Sequence, residues 1–192
     1  HTFVQQEEFD TTERYIFIIH PHGGCVTWCQ PIQKYLCDKG LPVSNVVHKA
    51  QLKVPAVRVI AEWFRISDAS PKTYSGDTNL LCFPDIKEML NRKKKGMVSI
   101  SMISHIIRKI IQNYQQPIKL VPIYVFGVND ICSSLHLLPK KINPKFTTVF
   151  GKQIQVTSDS KVSELLTAYE NNLTEAYVSE RWDTYPKKLK FC

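Results

Sequence analysis

Tyr15-Ile16-Phe17-Ile18-Ile19-His20-Pro21-His22-Gly23-Gly24 is an apolar run that stops abruptly at two histidines, a proline and two glycines. Five consecutive apolar residues, each β-branched or aromatic, read as a strand buried on both faces. The His-Pro-His-Gly that follows reads as the turn at the strand's carboxyl end. Pro21 restricts His20 towards extended geometry, and Gly23 and Gly24 let the chain turn sharply and leave room for a ligand. Such strand ends are where α/β proteins usually place their chemistry. Two imidazoles on one stiff turn are therefore the first candidates for a functional role.

Outward from this strand, apolar residues at helical spacing predict a helix over 27–37, with Val26, Cys29, Ile32 and Leu36 roughly on one face. Gly40-Leu41-Pro42 breaks it, and a short strand is expected at 43–48. A helix over 54–64, a polar loop over 66–79 and a short helix over 84–92 come next. Residues 96–101 read as a strand. Ile103, Ile106, Ile107, Ile110, Ile111 and Tyr114 then mark an amphipathic helix that Pro117 ends. A strand over 119–126 leads into a helix or turn reaching about 137, and two short strands, 146–150 and 153–157, flank Gly151. The last helix, 160–180, carries Val162, Leu165, Leu166, Tyr169, Leu173, Ala176 and Tyr177 on one face. Ser158 or Asp159 is its expected cap, with Glu164 in its first turn. The alternation predicts an α/β fold over 1–192: one domain, a mixed central sheet flanked by helices.

The tetrad His20-Pro21-His22-Gly23 resembles the signature of the diacylglycerol acyltransferase 2 family, which includes monoacylglycerol and wax-alcohol acyltransferases. Leu120-Val121-Pro122-Ile123-Tyr124-Val125-Phe126-Gly127-Val128-Asn129-Asp130 is similar to that family's second block, a strand ending in Phe-Gly-Glu-Asn-Asp. Val54-Pro55-Ala56-Val57-Arg58 resembles its Pro-x-x-Arg helix start, and Phe150-Gly151-Lys152-Gln153-Ile154 its closing Gly-Lys-Pro-Ile segment. The matches run in order over most of residues 14–182.

The resemblance implies a glycerolipid-acyltransferase-like fold and an acyl-CoA-dependent O-acyltransferase. Its acceptor would be the hydroxyl of a mono- or diacylglycerol or a long-chain alcohol, and its product a neutral lipid such as triacylglycerol. No metal or resident cofactor is implied, acyl-CoA being a co-substrate. The implied setting is the cytosolic face of the endoplasmic reticulum membrane, or a lipid droplet. The family's membrane hairpin precedes the tetrad; only 19 residues do so here, so any such anchor is expected outside this chain.

The resemblance points to His20 and His22 as the catalytic residues. A neutral imidazole can take the proton from an acceptor hydroxyl as that oxygen attacks the thioester carbonyl. His20, fixed by the strand it ends, is the favoured base; His22 would orient it, bind the acceptor or polarise the carbonyl. Backbone N–H groups at Gly23 and Gly24 suit a developing oxyanion or a phosphate. Arg58, Lys53 and the lysine run 93–95 are candidates for the coenzyme phosphates. Phe126, Gly127, Asn129 and Asp130 are the substrate-binding candidates of the second block, although Asn129 or Asp130 could equally be a helix cap. His48, His105 and His136 read as structural.

Two departures from the family pattern support an alternative, an inactive relative that binds lipid or a membrane. Val98-Ser99-Ile100-Ser101 passes straight into Met102-Ile103-Ser104-His105 without the family's glycine-rich segment, and Val128 stands where the family has an acidic residue. A metal hydrolase using His20 and His22 would need further ligands, of which Asp130 is the one obvious candidate. The net charge of +8 invites an anionic partner, but no aromatic–basic interleaving supports nucleic-acid binding. The six cysteines show no CxxC pairing, and their scatter suits buried or free thiols. Asn172-Leu173-Thr174 is a formal glycosylation sequon within a predicted helix.

Overall fold

The computed structural model describes residues 1–21, 29–47, 53, 66–68, 78–81, 95–113, 117–128 and 145–192. Its framework is the pair of strands that the sequence marks most strongly. β2 (Tyr15–His20) is buried at every position and runs parallel to β7 (Ile118–Phe126), with Tyr15 opposite Lys119 and His20 opposite Tyr124. On its other side β2 pairs in parallel with β5 (Thr78–Leu81), which is followed outward by β3 (Val43–Val47) and β4 (Ile66–Asp68). Beyond β7 lie β8 (Thr147–Phe150), antiparallel to it, and β1 (Thr2–Gln5), parallel to β8. β9 (Ile154–Val156) pairs antiparallel with the first half of β7. The result is a mixed sheet with helices on both faces.

β7 is long enough to serve β9 along its first half and β8 along its second. The turn between those partners is Gly151, whose N–H donates to the carbonyl of Pro122 at 2.8 Å. A Cβ there would lie 2.9 Å from the Pro122 ring and 3.2 Å from the Asn172 carbonyl oxygen, so only glycine lets the corner close. Pro122 itself falls between the stretches of β7 that pair with β9 and with β8, where a proline in a central strand costs least.

The period-two alternation of β2 and β7 divides the core. Tyr15, Phe17, Ile19, Val121, Ile123 and Val125 face α1 (Cys29–Asp38), which contributes Cys29, Ile32 and Leu36. Ile16, Ile18, Leu120, Tyr124 and Phe126 face α2 (Ile100–Asn113) and α3 (Val162–Ser179). α2 presents Ile103, Ile106, Ile107 and Ile110; α3 presents Leu165, Tyr169, Leu173, Ala176 and Tyr177. These are the faces expected from the sequence. Among the described residues, no helix is long and apolar enough to cross a membrane.

Several expectations need correction. Segment 66–79 is not loop throughout: Ile66–Asp68 and Thr78–Leu81 are strands, and β5 lies directly beside β2. The polar pair Thr78-Asn79 hides it, because both residues are buried and break the apolar signature. The strand expected at 96–101 shrinks to β6 (Met97–Val98), outside the central sheet and parallel to β10 (Lys190–Phe191). α2 takes over at Ile100, since Ile103, Ile106 and Ile107 reward helical spacing on this face of the sheet. α3 starts at Val162 with Lys161 in the cap position and no side-chain cap bond, so neither Ser158 nor Asp159 caps it. Cys29 is disulfide-bonded, against the expectation of thiols throughout; sequence spacing does not report which cysteines meet in space. Cys37 and Cys192 are free and exposed. The helices expected at 54–64 and 84–92, and the helix or turn reaching 137, lie outside the described residues.

Candidate functional site

The carboxyl ends of β2, β5 and β7 lie side by side along one edge of the sheet. From β2 the chain passes through α1 to β3, on the side of β5; β7, which follows α2, lies on the other side of β2. This reversal of strand order makes the edge between β2 and β7 a switch point, where open α/β sheets place their ligands. His20 stands there as the last residue of β2.

Parity along β2 turns the His20 ring toward α3, on the face of Ile16 and Ile18. It meets Tyr169, whose hydroxyl lies 2.8 Å from Nε2, with the two rings edge to face at 5.9 Å. His20 is 0% exposed, and so is Tyr169. The peptide joining His20 to Pro21 is cis. A buried imidazole needs a polar partner, and Tyr169 supplies one from the middle of an otherwise apolar helix face. His20 is thus fixed at the expected place but enclosed.

Beyond His20, the end of β7 is closed by the segment that follows α3. Phe126 is buried among Tyr124 (4.7 Å between ring centres), Tyr177 (5.4 Å), Tyr185 (5.1 Å) and Trp182 (6.0 Å). Gly127 has φ +96°, and its N–H donates to the Tyr185 hydroxyl at 2.8 Å. A Cβ at Gly127 would collide with the Lys145 carbonyl oxygen. Tyr177, buried beside Tyr124 and Phe126, donates its own hydroxyl to the Pro186 carbonyl at 2.6 Å. Burial pushes its phenol up to about 12. Phe126 and Gly127 therefore serve packing and chain reversal at this edge, with the C-terminal segment laid over them.

Among the candidates named from the sequence, His20, Phe126 and Gly127 are brought to one edge; Lys53 is exposed. His22, Gly23, Gly24, Arg58, Asn129 and Asp130 lie outside the described residues. His105 is exposed on α2. The residues that sequence reasoning overlooked are Tyr169, Trp182 and Tyr185. Tyr169 stood within the apolar stripe of the last helix, and nothing local marks its hydroxyl as the partner of a histidine 149 positions away. A shallow open depression of about 530 Å³, lined by Thr12, Glu13, Arg14, Pro117, Gln155 and Thr157, lies at the opposite edge, beside the amino ends of β2 and β7.

Comparison with protein-family models, with curated proteins and with solved structures finds no match.

Proposed function

We propose that the chain is a glycerolipid-acyltransferase-like protein that transfers an acyl group from acyl-CoA to the hydroxyl of a mono- or diacylglycerol or a long-chain alcohol. The observation that carries this reading is the position of His20, ending a central strand at the switch point of the sheet and held there by Tyr169. In this reading His20 is the general base and His22 its companion, with acyl-CoA as co-substrate and no resident cofactor. The reaction sits at a membrane surface, that of the endoplasmic reticulum on its cytosolic side or of a lipid droplet.

The geometry adds one requirement. Nε2 shares its hydrogen bond with Tyr169, so an acceptor hydroxyl reaches that nitrogen only by displacing the tyrosine oxygen. The acceptor oxygen then loses its proton to the imidazole, bonds to the thioester carbonyl carbon, and the C–S bond breaks as the coenzyme thiolate leaves. That thiolate recovers the proton from His20.

A second reading is favoured by the enclosure of His20 together with the absent glycine-rich segment: an inactive relative that keeps the fold and binds lipid. The two separate in one assay. Membranes containing the protein are supplied with labelled acyl-CoA and several acceptors, and compared with the His20→Ala/His22→Ala double variant at matched expression. Ester formation that disappears in the variant supports the transferase. No ester from the unmutated protein with any acceptor leaves the lipid-binding relative.

A further inference from the structure

The C-terminal segment does more than cover the end of β7, because it carries three exposed lysines, Lys187, Lys188 and Lys190, close together in the chain. On the described surface Lys34 meets Asp38, Lys119 meets Glu13, Lys152 meets Glu175 and Lys161 meets Glu164. Lys187, Lys188 and Lys190 are exposed, and no ion pair holds any of them among the described residues.

Their orientation is set by the chain on either side. Leu189 and Phe191 are partly buried against the core on the α2/α3 face. In the extended stretch the intervening Lys190 points the opposite way, and Lys187 and Lys188 are exposed on the bend before it. The segment is pinned by the parallel pairing of β10 with β6, where Lys190 N–H donates to the Gly96 carbonyl at 2.8 Å and Cys192 N–H to that of Val98 at 3.0 Å. This pairing sets the lysines beside Lys95, the last member of the 93–95 run, whose Nζ lies 4.4 Å from the centre of the Tyr185 ring. The C-terminal segment is thus tied by its backbone to a stretch far away in sequence.

We propose that Lys187, Lys188 and Lys190 form a docking surface for a bilayer containing anionic phospholipid. All three are lysines, not arginines: mobile point charges that suit the diffuse field of a lipid surface rather than the bidentate reading of a base edge. The aromatic residues of the segment are turned into the core, so no stacking platform for a nucleic acid accompanies the charge. The proposal deepens the membrane partner of the function proposed above by naming the surface that meets it. Its test involves no acyl transfer, so either can fail alone.

The purified chain is floated with vesicles of phosphatidylcholine alone and of phosphatidylcholine with phosphatidylserine, at low and high salt. Binding is expected to the anionic vesicles only and to fade with salt. Each lysine near such a surface contributes about fivefold to partitioning, so Lys187→Gln/Lys188→Gln/Lys190→Gln should weaken binding on the order of a hundredfold. The matched control, Lys34→Gln/Lys39→Gln/Lys161→Gln, removes the same charge from exposed positions elsewhere and should weaken it far less. All six positions are exposed, and unchanged thermal midpoints will show that both variants fold. Equal weakening by the two triple variants would overturn the proposal, as would failure of the unmutated chain to bind anionic vesicles. Displacement from the vesicles by duplex DNA at equimolar phosphate would reassign the surface to nucleic acid and overturn it too.

Discussion

His20 ends β2 with its ring toward α3, and what it meets there is a tyrosine hydroxyl rather than solvent. A buried ring nitrogen deprived of such a partner pays the full cost of desolvation. Tyr169→Phe, which keeps the aromatic packing and removes the oxygen, should therefore lower unfolding stability by about 1–3 kcal/mol in urea titration. An unchanged midpoint would mean that Nε2 is satisfied without Tyr169. At the neighbouring strand end, Gly127 combines a positive φ with a Cβ position that would collide with the Lys145 carbonyl oxygen. Gly127→Ala should cost at least about 2 kcal/mol and shift the near-ultraviolet signal of Trp182, which packs 3.2 Å from that point. A variant as stable as the parent would show that the edge is looser than described.

At the scale of elements, α2 and α3 hold their face of the sheet through interleaved isoleucines and tyrosines. Ile107 is fully buried in that layer. Ile107→Ala should cost roughly 2–5 kcal/mol, while Arg108→Ala, one position on and exposed, should cost little. Equal costs would contradict the assigned helix face. The tyrosines give the same layer a pH dependence. The Tyr177 phenol is raised by burial from 10.0 to about 12, so the folded chain keeps its proton where the unfolded chain has released it. That stabilisation is fully present below pH 10.0 and is lost as pH rises through about 12. Stability measured by denaturant titration should fall across this interval, and Tyr177→Phe should flatten the fall while giving up the bond to the Pro186 carbonyl. An unaltered slope in the variant would place the alkaline sensitivity elsewhere.

Across the molecule, what could be read from sequence is what repetition made visible. β2 and β7 announce themselves because both their faces are buried, and α2 because its isoleucines recur at helical spacing. β5 does not, since half of it is Thr78 and Asn79, and β6 and β10 are too short for any period to register. That His20 ends an apolar strand was legible; what surrounds it was not. Tyr169 and Tyr185 reach His20 and Gly127 through long-range packing, which no local pattern encodes. The same holds for the pairing of β6 with β10, which ties the C-terminal lysines to the rest of the molecule.

The claim on which the functional account rests is that His20 serves chemistry as well as packing. Acyl transfer from labelled acyl-CoA to mono- and diacylglycerol, by membranes carrying the parent or His20→Ala at matched expression, tests it most directly. The account predicts ester from the parent and a loss of at least about a hundredfold in the variant, the scale of a missing general base. Transfer by His20→Ala at the parent's rate, or none from the parent with any acceptor, would contradict it.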